Sequence, residues 1–313
     1  MSMKVLITGA AGNLGSILAR HLLAQSSDEL RLMVFRRDVA DDLKVPGRSE
    51  IVRADLGKRE TLVPAVNGTD VIVHFAGVLF KAHPERFLPT TNTTYLRNLV
   101  DAANDHGVRK IILISFPHVE GPTTFDNPAR GRLDGCPISW HAKTRLEEEQ
   151  YLFANALAPV SLRVGMVYGR GILMIEAARW LAKRRLLGVW REPTQIHLIS
   201  KDDFCAACAS SISNEQAAGI YHVGDEGRIT LQEFLDLACR QWGSALPWRM
   251  PLPLIYTSAR LCEIYSQLTG APSPLTRDFL DIGRVSYYGD TTRFRELVPS
   301  LRYRTVHDGR ATL

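Results

Sequence analysis

Apolar positions fall into two alternating rhythms along the first half of the chain. Val5-Leu6-Ile7 is a short β-branched run closed by glycine, the pattern of a buried strand. Leu14, Ile17, Leu18, His21 and Leu22 then recur at helical spacing. Further strand-like runs follow at Leu30 to Phe35, Ile51-Val52, Val71 to Phe75 and Ile111 to Ile114. A helical segment carrying Asn92, Tyr95, Leu96, Leu99, Val100 and Ala103 stops at Gly107, a residue suited to a C-terminal cap. Strands separated by helices imply right-handed crossovers and a parallel sheet, hence a doubly wound α/β fold. In such sheets a ligand lies across the carboxyl ends of the strands.

The turn between the first strand and the first helix reads Thr8-Gly9-Ala10-Ala11-Gly12-Asn13-Leu14-Gly15. Small residues there let the backbone approach a pyrophosphate, while free amides and the helix dipole face its charge. Gly9, Ala11, Gly12, Asn13, Leu14 and Gly15 are therefore candidate cofactor-binding positions. The second strand ends in Val34-Phe35-Arg36-Arg37-Asp38. Arg36 stands where enzymes using NAD carry an acidic residue for the ribose 2′-hydroxyl. Guanidinium groups at Arg36 and Arg37 suit a 2′-phosphate, so NADP(H) is the expected cofactor. Asp38 keeps NAD open if the turn is one or two residues longer.

The spacing Gly-x-x-Gly-x-x-Gly after a threonine resembles the extended, epimerase/dehydratase-like branch of the short-chain dehydrogenase/reductase superfamily. The resemblance implies a Rossmann-type sheet over residues 1–165, with later segments returning to it. It implies a smaller α/β substrate domain over most of 166–313. Asp55, followed by Leu56, matches the aspartate that holds the adenine. Phe75-Ala76-Gly77 matches the step beneath the cofactor, and Asn92 an asparagine that steadies the sheet near the active site. Read without the family, Asp55 is a turn or cap residue and Asn92 a polar helix residue. Val160 to Gly169 resembles the Leu-Arg-Pro-x-x-Val-Tyr-Gly signature, which places Val164 near the nicotinamide. Ile199 to Asp203 resembles a turn before a helix, with Asp203 read as its N-cap, and Ile220 to Gly224 resembles a strand. Thr230-Leu231-Gln232-Glu233 is a capping box. Prolines at 247, 251, 253, 272 and 274 flank a helical stretch from Leu254 to Leu268. That layout resembles the 3β-hydroxysteroid-dehydrogenase-like subgroup and implies a hydrophobic substrate, unless the helix only packs the smaller domain.

The superfamily's proton donor is a tyrosine with a lysine one helical turn later, assisted by a serine or threonine after the fifth strand. Here the helix reads Ser139-Trp140-His141-Ala142-Lys143-Thr144-Arg145-Leu146-Glu147. Aligned on Lys143 and Glu147, the tyrosine position holds Ser139. After strand five, Phe116 fills the usual serine slot and Ser115 falls one residue early. Positioned acid–base catalysis is worth roughly 10²–10⁴-fold, and a serine hydroxyl does not replace a phenol. Candidate catalytic residues are therefore Lys143, Ser115, His118, Ser139 and His141, with histidine titrating nearest neutrality. Lys143 is also a candidate for the nicotinamide ribose. Residues 121–137 form a loop at the expected substrate mouth and carry Arg130 and Arg132.

Composition narrows the alternatives. The 313 residues are 45% hydrophobic and 23% charged, an ordinary globular balance with ample core. A net charge of +5, with only short clusters such as Lys183-Arg184-Arg185, argues against nucleic acid as a partner. No apolar run approaches the roughly 20 residues of a membrane span, and strand one begins too early to leave room for a signal peptide. A cytoplasmic protein is expected. Five cysteines, an odd number, argue against a disulfide scaffold. Cys205 and Cys208 sit in a helical pattern without zinc-site spacing, so buried thiols are expected and no metal. The expected function is an NAD(P)-dependent oxidoreductase with an atypical active site, acting on a small molecule. The alternatives are a cofactor-binding sensor without turnover and a nucleotide-sugar epimerase or dehydratase. A homodimer through helices near Lys143 is the family analogy.

Overall fold

The computed structural model describes residues 2–78, 82–269, 273 and 275–313. Pro272 and Pro274 lie outside the described residues. The first half runs β1 (Lys4–Thr8), α1 (Asn13–Gln25), β2 (Glu29–Val34), β3 (Ser49–Arg53), α2 (Val63–Val66), β4 (Val71–His74), α3 (Tyr95–Asp105), β5 (Lys110–Ser115), α4 (Trp140–Asn155) and β6 (Pro159–Val164). The second half runs β7 (Met166–Tyr168), α5 (Leu173–Lys183), β8 (Gly188–Trp190), β9 (Gln195–Ile196), β10 (Leu198–Ser200), α6 (Lys201–Ser213), β11 (Gly219–Val223), β12 (Ile229–Thr230), α7 (Leu231–Gln241), β13 (Trp248–Met250), α8 (Leu252–Thr269), α9 (Arg277–Gly283), α10 (Thr292–Leu297) and α11 (Val306–Gly309).

Seven strands form one sheet in the order β11-β6-β5-β4-β1-β2-β3. Every pairing in it is parallel. This is the Rossmann-type doubly wound sheet expected from the strand and helix rhythm. The order reverses at β1 and β4, so their carboxyl ends open the crevice where a ligand binds. Both faces of the sheet are covered, as a parallel sheet requires: Val5, Ile7, Leu32 and Val73 pack into one core, Leu6, Ile72, Leu99 and Leu113 into another.

Local chemistry explains most boundaries. Gly107 takes φ +69° after α3, and Val108 N–H closes back on Ala103 C=O. Asn92 falls in a π-helical turn, Pro89–Thr94, just ahead of α3. The capping box at Thr230 and Glu233 is formed at α7. Asp203 is not the N-cap of α6. Ser200 caps that helix, accepting from Asp203 N–H at 3.0 Å, and the Asp203 carboxylate receives Arg302 N–H at 2.6 Å. Cys205 and Cys208 are buried in α6, and burial pushes the Cys205 thiol up to about 12. The stretch around Leu254 to Leu268 forms α8, one residue or two longer at each end. Among the described residues, no helix is long and apolar enough to cross a membrane.

Candidate functional site

A cleft of about 360 Å³ opens at the carboxyl ends of β1, β2, β3 and β4. Its floor is the glycine turn. Gly9 adopts φ +68°, and a Cβ there would sit 3.1 Å from Ala76 N. A Cβ on Gly15 would lie 2.5 Å from Gly9 C=O, so the third glycine lets α1 pack onto the turn. Thr8 ties the two strand ends together: its hydroxyl lies 2.8 Å from His74 Nδ1 and accepts from Phe75 N–H at 3.3 Å. No side chain caps α1 and no acidic residue lies in its first turn. Its leading amides are thus left for an anionic ligand.

Ten of the expected cofactor positions line this cleft: Gly9, Ala11, Gly12, Arg36, Arg37, Asp55, Leu56, Phe75, Ala76 and Gly77. Arg36 is exposed, with its guanidinium 5.1 Å over the Phe35 ring. Arg37 Nη2 donates to Ala11 C=O at 3.4 Å, which anchors it above the glycine turn. Asp38 accepts Val39 N–H at 2.9 Å and stands 3.5 Å from Lys44 Nζ, so its carboxylate is already engaged. Asp55 both lines the cleft and serves as a turn residue, accepting Gly57 N–H at 2.9 Å. Thr91 and Tyr95 line the cleft as well. Tyr95 was visible in the sequence only as one member of a helical repeat.

The remaining positions are not among the residues lining the cleft. Asn13 turns its side chain to the second half of the chain: Nδ2 donates to Gly171 C=O at 2.7 Å and Oδ1 accepts Leu173 N–H at 2.9 Å. Leu14 packs against the core beside α1, and Val164 is buried at the end of β6. Asn92 is buried and donates to Thr144 Oγ1 at 3.0 Å, which fixes α4 against the turn before α3.

The rotation of α4 decides which of its side chains turn inward. Lys143 does not reach the cleft: it is exposed, and its ammonium sits 5.3 Å over the Trp140 ring. Ser139 spends its hydroxyl as the N-cap of α4, accepting Ala142 N–H at 3.2 Å. One face of α4 carries His141, Arg145 and Glu148, related by one turn and two turns. His141 Nε2 meets Val78 C=O at 3.2 Å, and Val78 lines the cleft. Arg145 Nη2 lies 3.5 Å from where a Cβ on Gly77 would project. His141, Arg145 and Glu149 repeat, two residues later, the spacing of Ser139, Lys143 and Glu147. Glu149 is fully buried, accepts Ser161 Oγ–H at 2.7 Å and pairs with the fully buried Arg163 at 2.5 Å.

His141 has a second partner that sequence reading missed. Its Nδ1 contacts the carboxylate of Asp278 on α9, and the other oxygen of Asp278 accepts Trp140 N–H at 2.9 Å. Both neighbours of the ring, the Asp278 carboxylate and Val78 C=O, are hydrogen-bond acceptors. Nothing in the sequence around position 278 signals this pairing.

The other catalytic candidates sit in different surroundings. His118 is buried between Phe116 and Tyr287, with ring centroids at 5.6 and 4.2 Å, and burial pushes its pKa down to about 4. It is neutral near pH 7 and does not line the cleft. Ser115 is buried at the end of β5, its hydroxyl without a partner among the described residues. Behind Arg145 lie two more buried groups. Burial, with the Arg145 charge adding to it, holds His74 down at about 3. Glu148 stands 2.9 Å from Arg145, yet burial raises its pKa to about 7.

The Glu120 carboxylate anchors the middle of the loop at 121–137. Glu120 accepts the backbone N–H groups of Arg130, Gly131 and Arg132 at 2.7–3.1 Å and meets Arg163 and His222. Burial alone would raise its pKa, but His222 and Arg163 hold it at about 2. Arg132 turns instead to Asp134, at 2.8 Å.

A family model described as NAD(P)H-binding matches residues 9–168, about half of the chain. The chain belongs to this NAD(P)H-binding family. The matched span runs from the first glycine to the end of β7, so it takes in the cleft and α4. Among its relatives, the uronate dehydrogenase of Pseudomonas putida is 28% identical over 184 residues, 57% of this chain and 66% of that protein. The ceramide reductase of Caulobacter vibrioides is 29% identical over 276 residues, 86% of this chain and 80% of that protein. The chain spans about half to two thirds of the length of the first curated relatives it matches. A UDP-glucose 4-epimerase of Thermus thermophilus, solved in complex with NAD, superposes with a TM-score of 0.74. That match covers 99% of this chain and 97% of that one at 23% identity, a likeness of fold.

Proposed function

We propose that the chain is an NADP(H)-dependent oxidoreductase acting on a carbonyl or alcohol carbon of an apolar small molecule, with His141 handling the proton. The observation that carries this reading is the His141 ring, held between Asp278 and the C=O of Val78, a residue that lines the cleft. The residues present fit a dinucleotide: a glycine cradle that added Cβ atoms would crowd, uncapped helix amides, and two arginines at the end of β2. A dinucleotide held there would supply the hydride chemistry. The glycine turn and the amides of α1 would hold the pyrophosphate. Arg36 would meet the 2′-phosphate, and Asp55 the adenine side. Arg145, at the cleft edge by Gly77, takes the position of the family's lysine toward the ribose.

In the reducing direction, His141 gives the proton on Nε2 to the oxygen of the reduced carbon. Asp278 keeps the proton on Nδ1 and orients the ring, the role a carboxylate plays toward a catalytic histidine in other enzymes. Phe116, where the family places a serine or threonine, supports an apolar rather than a hydroxyl-rich substrate. So does the relative named for a ceramide, which the chain matches over most of both lengths.

NADPH oxidation by the purified chain over a panel of steroid-like, aromatic and long-chain ketones tests the reading. His141→Gln is expected to lower kcat by roughly 10²–10⁴-fold, with NADPH affinity held within about threefold. Turnover by His141→Gln at the wild-type rate would remove histidine from the reaction. Absence of NADPH binding by the wild-type protein would remove the whole assignment.

A further inference from the structure

We infer that the surface formed by the end of α5, β8 and β13 docks on an anionic lipid bilayer. Two tryptophans stand out on this surface, Trp180 at 52% and Trp248 at 64% exposure, together with Leu186 at 62% and Leu246 at 51%. They belong to one patch. β13 pairs with β8, Trp248 N–H donates to Leu187 C=O at 2.9 Å, and Trp248 Nε1–H donates to Arg185 C=O at 2.8 Å. The Arg184 guanidinium lies 3.9 Å over the Trp180 ring.

Charge selects the occupant. Residues 177–191 hold five Lys or Arg and no Asp or Glu, and residues 237–262 hold three and none. Of these cations only Arg249 forms an ion pair among the described residues, with Asp236 at 2.7 Å. Lys183, Arg184 and Arg185 are thus three consecutive unpaired charges beside two exposed indoles. Arg185 even occupies the left-handed position that closes α5, φ +58°, where glycine is the favoured residue. An indole beside a guanidinium, with leucines between, is the composition of a protein surface seated at the headgroup level of a bilayer. A second copy of the chain is disfavoured on this patch, because symmetric pairing would face like charges against each other.

The patch continues toward the cleft. α8 begins two residues after β13 and carries exposed Leu254, Leu261 and Leu268 at seven-residue spacing, one stripe along the helix. Near its end, Gln267 Nε2 lies 2.7 Å from His83 Nε2, on the segment that follows the cleft residue Val78.

Co-sedimentation with phosphatidylcholine vesicles, with and without phosphatidylserine, tests the inference. Binding is expected only with phosphatidylserine, with a blue shift of tryptophan emission and release by high salt. The variant Lys183→Gln/Arg184→Gln/Arg185→Gln is expected to weaken partitioning by roughly fivefold per charge, about 100-fold in all. Trp248→Ala is expected to reduce binding and most of the blue shift. NADPH affinity and circular dichroism, unchanged in both variants, confirm that they are folded. No binding to either vesicle overturns the inference, as does equal binding to both. A dimer in solution that the triple variant dissociates overturns it too, by making a second copy the occupant.

Discussion

Arg36→Ala separates the two nicotinamide dinucleotides. Arg36 lines the cleft and forms no ion pair among the described residues, and Asp38 is tied to Lys44 and to its own turn. A 2′-phosphate carries close to two negative charges, and each unit pair at about 4 Å is worth about 1 kcal/mol in water. Arg36 is exposed, so the solvent-screened value applies, and the contact is worth about 2 kcal/mol, roughly 30-fold in affinity. Calorimetric titration of wild type is expected to show NADPH binding tighter than NADH by at least that factor. In Arg36→Ala, NADPH affinity falls roughly 30-fold while NADH changes by less than about twofold. Raising the salt concentration should weaken NADPH more than NADH, since the difference is ionic. Equal affinities in the wild type, or an equal loss of both ligands in the variant, would refute the assignment of Arg36 to the 2′-phosphate.

Two further outcomes test the fold beneath the site. Gly15→Ala places a methyl 2.5 Å from Gly9 C=O, backbone that has no room to retreat. It should destabilise the protein by about 1–3 kcal/mol in urea unfolding and weaken NADPH binding, and a neutral effect would deny the close packing of α1 on the turn. His118→Phe tests the buried imidazole. Its folded pKa of about 4 lies below the ordinary 6.5, so the unfolded chain takes up the proton first as the pH falls. Stability from this group is full above about pH 6.5 and is lost toward pH 4, at about 1.4 kcal/mol per pH unit. The phenylalanine variant should flatten the pH dependence by that slope across the window; an unchanged slope would place the ring in water.

Much of the frame was legible because it rests on local rules. Runs such as Val5-Leu6-Ile7 and the glycines after them carry their own geometry, and the parallel sheet followed from strands alternating with helices. The rotation of α4 was not legible. Lys143 with Glu147 and Arg145 with Glu149 satisfy the same one-turn spacing, and helical periodicity does not rank them. Burial separates them: Glu149 pairs with the fully buried Arg163 of β6, while Glu147 is exposed. Asp278 was invisible for a related reason: its contact with His141 spans well over a hundred residues and leaves no periodic trace. Ser200 and Asp203 both suit a cap; the helical backbone starts at Lys201, which makes Ser200 the cap and Asp203 its partner inside the first turn.

The origin of the seventh strand bears on how the molecule is assembled. β6 pairs Val160 with Gly219 through Val164 with Val223, so its outer hydrogen bonds wait for a segment translated after α5 and α6. Until that segment emerges, the nascent chain shows an unpaired, apolar margin of Val160 and Leu162 to its surroundings. Shortened forms ending before residue 219 would keep the glycine turn intact and still be prone to sticking edge to edge.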